Sequence, residues 1–227
     1  MGNRTTALID TKISRTSAPN AARALYARLV EGGVIVPELR SGLSLGAPAF
    51  PLRADFRGLD DLEGWGSPER KVDAYSPVVT RITAIEIDVT GHGWQTGATG
   101  RPELVASADN NGLFMNYDGG FSVNCPCCRT AIELGADGSD ELDTALSAWC
   151  REPESARLRC RSCDSIAPVS EWRSVNYEFA AGHLGMTLWG EHLLGLVERP
   201  SSAAAEHLKA LFSAIEGAEP AVVFCNI

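Results

Sequence analysis

The residues best equipped for chemistry in this chain are cysteines. Cys125 and Cys128 enclose two residues, Cys160 and Cys163 repeat that spacing, and 31 residues separate the two pairs. Each short C-x-x-C turn aims two thiolates at one point, and two such turns complete a tetrahedron around Zn²⁺. Four cysteinates fill the coordination shell, so the spacing predicts a structural ion. A catalytic zinc keeps one position open for water. Cys127, inside "NCPCCRT", offers a competing C-x-C turn and could stand in for Cys128, but only the C-x-x-C choice matches the second pair. Redox pairs of the thioredoxin type open a helix, whereas these lie between strand signals. Zinc deaminases need a His-x-Glu ahead of their cysteines, and no such triplet occurs here.

Both pairs interrupt hairpins. "FSVN" enters the first and "TAIEL" leaves it; "ARLR" enters the second and "SIAPV" leaves it. This arrangement resembles a zinc ribbon, over about residues 120–170. In such knuckles the residue after the second cysteine is often Gly, because the chain turns left-handed there. This chain has Arg129 and Asp164 instead, of which only Asp tolerates that conformation easily. Between the knuckles, "SDELDTALSAWCRE" reads as one short helix capped by Ser139 or Asp140, with Leu142, Leu146 and Trp149 along its buried edge. Cys150 is read as packing, not as a ligand. The metal is expected to tie down a region with few large apolar residues of its own.

Other chemistry-bearing residues give weaker signals. Arg157, Arg159 and Arg161 alternate along the strand entering the second knuckle, so they share one face while Leu158 and Cys160 turn inward. They are the best candidate contact for phosphate or nucleic acid, with a solvated strand face as the plainer account. His92 and His183 lie in glycine-rich loops, with no nucleophile pattern beside them and no H-E-x-x-H in the chain. "GHGWQTGATG" has the wrong glycine spacing for a dinucleotide turn. "SADNNGLFMNYD" is better explained by a β-turn at Asn110–Gly112 than by a calcium loop. Trp65, Trp94, Trp172 and Trp189 are divided between core packing and a possible interface role.

These residues must be positioned by a chain of 227 residues, 44% of them hydrophobic, which is enough for a sizeable core. Residues 1–18 lack a period and are expected to fray. "NAARALYARLVEGG" reads as a helix with Leu25 and Leu29 inward and Gly32-Gly33 as its stop. A short strand "VIV" follows, then a long irregular segment over 40–80. "TRITAIEIDVT" alternates as a strand, with Glu86 and Asp88 on its polar side. A helix over "SSAAAEHLKALFSAIEG" is capped by Ser201 or Ser202 and buries Leu208, Leu211, Phe212 and Ile215. The terminal "AVVFCNI" is read as a strand interior to a sheet.

The fold class predicted is α+β, with a zinc-ribbon module inserted between an N-terminal α+β portion and a C-terminal strand–helix–strand. The boundaries are 1–112, 113–175 and 176–227, the last portion packing on the first.

Net charge is −9, and it is uneven: residues 1–60 carry eight bases and five acids, leaving −12 on residues 61–227. That balance argues against broad nucleic-acid binding and favours a basic protein partner. No apolar run is long enough to span a bilayer, and the first residues lack a signal-peptide core, so the compartment expected is the cytoplasm. Seven cysteines in such a chain point to metal or free thiols. The function predicted is a non-catalytic, zinc-binding interaction protein, and an inhibitor or immunity-type protein against a basic partner fits that charge logic. A nucleic-acid-associated ribbon protein using the arginine face is the alternative, and a hydrolase-like enzyme on the histidine loops is third.

Overall fold

The structure, a computed structural model, describes residues 4–44, 47–54, 56, 83–108, 110–116, 121–133, 139–174, 176–190, 203–213 and 220–226. In chain order its elements begin with β1 (Arg4–Asp10), α1 (Ala18–Glu31), β2 (Phe50–Pro51), β3 (Ala84–Val89), β4 (His92–Thr96) and β5 (Pro102–Ala106). Short strands follow at β6 (Leu113–Met115), β7 (Ser122–Asn124) and β8 (Ala131–Glu133), then α2 (Ser139–Arg151). Next come β9 (Arg157–Arg159), β10 (Ile166–Pro168), β11 (Phe179–Ala181), β12 (Leu184–Trp189), α3 (Ala203–Ser213) and β13 (Ala221–Asn226). The class is α+β, with antiparallel strand pairing throughout the described residues.

The main sheet runs β13-β1-β12-β3-β4-β5, with β2 also paired to β3. Residues 4–10, expected to fray, are therefore a central strand. Their lack of alternation has a physical cause: from Thr5 to Asp10 every side chain is buried, so neither face had to be polar. Leu8 meets α1 and α3 on one face of the sheet, while Ala7 and Ile9 lie on the other. Strand β12 behaves alike, with all six residues buried. The terminal strand β13 was expected inside a sheet, yet among the described residues it ends the main one, pairing with β1 alone. Its apolar character comes from packing against β6 and β11, and the Phe224 amide donates to the Tyr177 carbonyl at 2.7 Å.

Helix α1 buries Ala22, Leu25 and Leu29 against the sheet and stops at Gly32, with Gly33 left-handed at φ +66°. "VIV" contributes only an isolated bridge, Ile35 to Leu52. The segment read as a glycine-rich loop contains β4, because Trp94 packs in an aromatic group with Tyr26 and Phe50 at centroid distances of 5.1–5.4 Å. Of the irregular 40–80 segment, residues 57–80 lie outside the described residues, as do Trp65, Ser201, Ser202 and Ile215.

A second core is built from residues between Phe121 and Ala181, a stretch of chain bounded by β6 and β11, which pair with each other. The stretch from 113 to 181 thus leaves the body and returns on adjacent strands. Two glycines make this junction possible. A Cβ on Gly112 (φ +72°) would lie 2.3 Å from both the Gly182 carbonyl and the Thr90 hydroxyl, and one on Gly185 would lie 2.3 Å from the Phe114 ring. Arg173 adds a polar tie, donating to the Trp172 carbonyl at 2.9 Å and to the Thr11 hydroxyl; burial pushes its pKa down to about 10.

Candidate metal centre

Strands β7 and β8 pair as one hairpin, β9 and β10 as another, and each carries a C-x-x-C turn at its tip. Hydrogen bonds close both tips in the same way. The Cys125 amide donates to the Thr130 carbonyl at 2.9 Å, and the Cys160 amide to the Ser165 carbonyl at 2.8 Å. Inside each turn the Arg129 amide reaches the Cys125 carbonyl at 3.0 Å, and the Asp164 amide the Cys160 carbonyl at 2.8 Å. Arg129 and Asp164 both take the left-handed conformation that glycine usually supplies, at φ 64° and 58°. The turn geometry is kept despite the side chains.

The two tips face each other. The sulfurs of Cys125, Cys128, Cys160 and Cys163 all lie within 4.8 Å of one another, with Cys125–Cys163 at 3.8 Å and Cys128–Cys160 at 3.5 Å. Zinc–sulfur bonds of about 2.3 Å in a tetrahedron place sulfurs about 3.8 Å apart, so the donor set fits that ion. One cysteine of each pair is buried and the other exposed. The site is thus anchored in the core on one side and open to solvent on the other.

Backbone amides of Cys127 and Cys128 point at the Cys125 sulfur, 3.4 and 3.5 Å away. Ser165 places its hydroxyl 3.3 Å from Cys125 and 3.1 Å from Cys163. Burial raises the Cys125 thiol, but these donors outweigh it and bring its pKa to about 6. The Cys160 sulfur has no contact from the Ser165 hydroxyl, and burial pushes its thiol up to about 11. Four like-charged thiolates this close need a cation to hold them together.

Cys127 stands outside the four and is exposed; its part is to offer a backbone amide. Cys150 is exposed too, which corrects its reading as a packing residue. It follows Trp149 on α2 and turns away from the helix's buried side, formed by Leu142, Ala145, Leu146 and Trp149.

That core corrects a further expectation. Phe121, Trp149, Trp172 and Phe179 all lie in it, with Phe121 stacked on Phe179 at 4.9 Å. The region is therefore well supplied with large apolar groups on its helix side, while the tips from Cys127 to Thr130 and from Arg161 to Asp164 are continuous exposed runs.

The arginine face is built as the alternation implied, with Arg157, Arg159 and Arg161 exposed and Leu158 and Cys160 buried. Its charges are engaged. Arg159 pairs with Asp164 at 2.9 Å, Arg161 grips Glu141 at 2.6 Å, and Arg157 donates to the Glu154 carbonyl at 2.7 Å.

The two histidines are kept apart in role. His92 contacts the Thr90 carbonyl at 3.2 Å. His183 is buried, stacked on Trp149 with centroids 5.2 Å apart, and burial lowers its pKa. A cleft beside them is lined by Arg15, Thr90, Gly91, Ser107, Asn111 and Pro153 among others, and neither histidine lines it. At Asn110–Gly112 the chain turns as expected. The Asn110 side chain accepts from the Gly112 amide at 2.9 Å; Asp109 and Asp118 lie outside the described residues.

Three of the four tryptophans singled out above are buried: Trp94, Trp172 and Trp189. No helix among the described residues is long and apolar enough to cross a membrane. Compared with protein-family models, with curated proteins and with solved structures, the chain matches none.

Proposed function

We propose that this chain is a non-catalytic zinc-binding interaction protein, in which a structural Zn²⁺ held by Cys125, Cys128, Cys160 and Cys163 fixes a zinc-ribbon module whose acidic surface docks a basic protein. The observation that carries the reading is the meeting of four sulfurs from two hairpin tips. Four thiolates saturate a tetrahedral ion, so it builds shape and offers no place for substrate or water.

Charge supports the second half of the reading. Asp164 and Glu141 hold Arg159 and Arg161, while Glu133, Asp143, Glu152, Glu154 and Glu171 are exposed with no ion pair among the described residues. Arg129, Arg151 and Arg157 are exposed without an ion pair as well, so among the described residues of this region the unpaired acids outnumber the unpaired bases by five to three, a balance that favours cations over phosphates. An inhibitor or immunity-type protein acting on a basic toxin in the cytoplasm fits that logic. The nucleic-acid alternative needs Arg157, Arg159 and Arg161 to leave their present partners.

The test is a binding measurement on the zinc-loaded chain against a basic protein encoded beside it and against a duplex oligonucleotide. The expected result is one-to-one protein binding that weakens with salt and is lost when Glu152 and Glu154 become Lys, with the oligonucleotide left unbound. Oligonucleotide binding that disappears in the Arg157/Arg159/Arg161 triple alanine variant overturns the proposal in favour of the alternative.

A further inference from the structure

Strand β3 carries Glu86 and Asp88 on the sheet face opposite α1, two residues apart and therefore side by side. Alternation alone suggests a solvated polar face, but this one is partly covered, and Glu86 and Asp88 are both half-buried. Asp88 lies directly across from Gly185, and the Phe114 ring packs on that glycine. Asn110 donates to Asp88 at 3.2 Å, Thr187 donates to its other oxygen at 2.7 Å, and the Trp189 indole donates to Glu86 at 3.0 Å.

Every partner of the two carboxyls is neutral, and neither has an ion pair among the described residues. The facing groups are Thr187 and Trp189 from β12, Asn110 from its turn and, further along the same face, Thr5 of β1 and Cys225 of β13. Of these only Cys225 titrates, and burial pushes its thiol up to about 11, so it stays uncharged near neutrality. His92, across from Val89, lies on the helix-facing side of the sheet, away from the pair. The two carboxyls are hydrogen-bonded to each other and have no cation beside them among the described residues; such a pair cannot both ionise at low cost, so one proton stays between them.

The position of Asn110 gives this proton a consequence. The Asn110 side chain ties Asp88 to the Gly112 amide, and the Asn111 carbonyl accepts from the Trp149 indole of α2 at 2.7 Å. We propose that Glu86 and Asp88 form a one-proton latch that fastens the 110–112 turn, and through Trp149 the cysteine-bearing region, to the sheet, and that loss of the proton loosens this joint. The inference stands apart from any metal or partner.

Burial first, and then the Asp88 charge, push Glu86 up to about 9, while burial pushes Asp88 to about 6. Folded carboxyls with raised pKa hold protons that the unfolded chain releases. The stability they lend is complete below the unfolded value near 4.3 and is lost as pH rises towards about 9.

The test compares the zinc-loaded parent with Glu86→Gln between pH 6 and 9, reading the unfolding constant and the hydrogen-exchange protection of the Gly112 and Leu113 amides. One proton of linkage is about a tenfold rise in the unfolding constant per pH unit. The variant should lose that one-proton slope, because the amide keeps the donor and cannot ionise. It should also hold Gly112 protection at pH 9, where the parent loses it before β1 does. An equal slope in both proteins overturns the latch, and so does a Gln variant that fails to fold, since its donor is intact. An infrared carboxylic-acid band in the parent at pH 7, absent from the variant, supports it independently; no such band contradicts it.

Discussion

The sheet body and the cysteine-bearing region are held together in different ways. Apart from the two-residue β2, the body closes around strands of five to seven residues filled by Leu8, Ile85, Ile87, Leu184, Met186 and Leu188, with α1 and α3 laid on one face. Apolar burial of that kind is spread over many residues and needs no ion. The second region has three-residue strands, too short to cohere alone, and combines an aromatic core beneath α2 with exposed hairpin tips. The difference shows where a metal is needed. The aromatic groups hold α2 and the hairpin bases, while the two tips, each closed by its own backbone hydrogen bonds, meet around the four sulfurs.

Removing the metal tests this division most severely. Structural zinc in small metal-built units contributes about 10–16 kcal/mol of apparent binding energy. Chelation, or Cys160→Ser, is expected to strip hydrogen-exchange protection from the tips, residues 125–130 and 160–165, while α2, β1 and β12 keep theirs. Loss across both regions together would show that the ion supports the whole chain.

The next largest effect comes from truncating each core. Trp172→Ala opens a cavity beneath the hairpins and should cost about 3–5 kcal/mol, and Leu8→Ala in the sheet about 2–5 kcal/mol. If the regions differ as argued, the first weakens zinc retention during a urea titration and the second leaves it unchanged until the body unfolds.

Gly112→Ala acts on the junction. Its left-handed φ and its 2.3 Å approach to Gly182 should cost on the order of 1–3 kcal/mol, read as a lower melting temperature.

The smallest expected effect is a gain. Arg129→Gly relieves a left-handed side chain and should stabilise the first tip by about 1–2 kcal/mol. Asp164→Gly gains less, because Asp tolerates that conformation and also holds Arg159. Equal gains would mean that the two tips are not strained in the way their side chains imply.

How much of this could be read from the residues depended on how local each signal was. The cysteine pairs are local, since two residues of spacing and flanking alternation define a hairpin tip, and α2 and α3 showed their buried edges by period. Strand β1 was missed because burial on both faces erases alternation, and β4 because its glycines hid the anchor role of Trp94. Glu86 and Asp88 were visible as a polar side of β3. Their partial cover was not, because Phe114 and Asn110 reach them only through a tertiary junction. Cys150 was misplaced by a single step of helical phase, beside a tryptophan that does face inward.

The central claim is that four sulfurs close the shell of one ion. X-ray absorption at the zinc edge of the purified chain measures this directly. The account predicts four sulfur neighbours at about 2.3 Å and no oxygen or nitrogen in the first shell. A spectrum with a light-atom ligand, or a chain that binds no zinc, would contradict it.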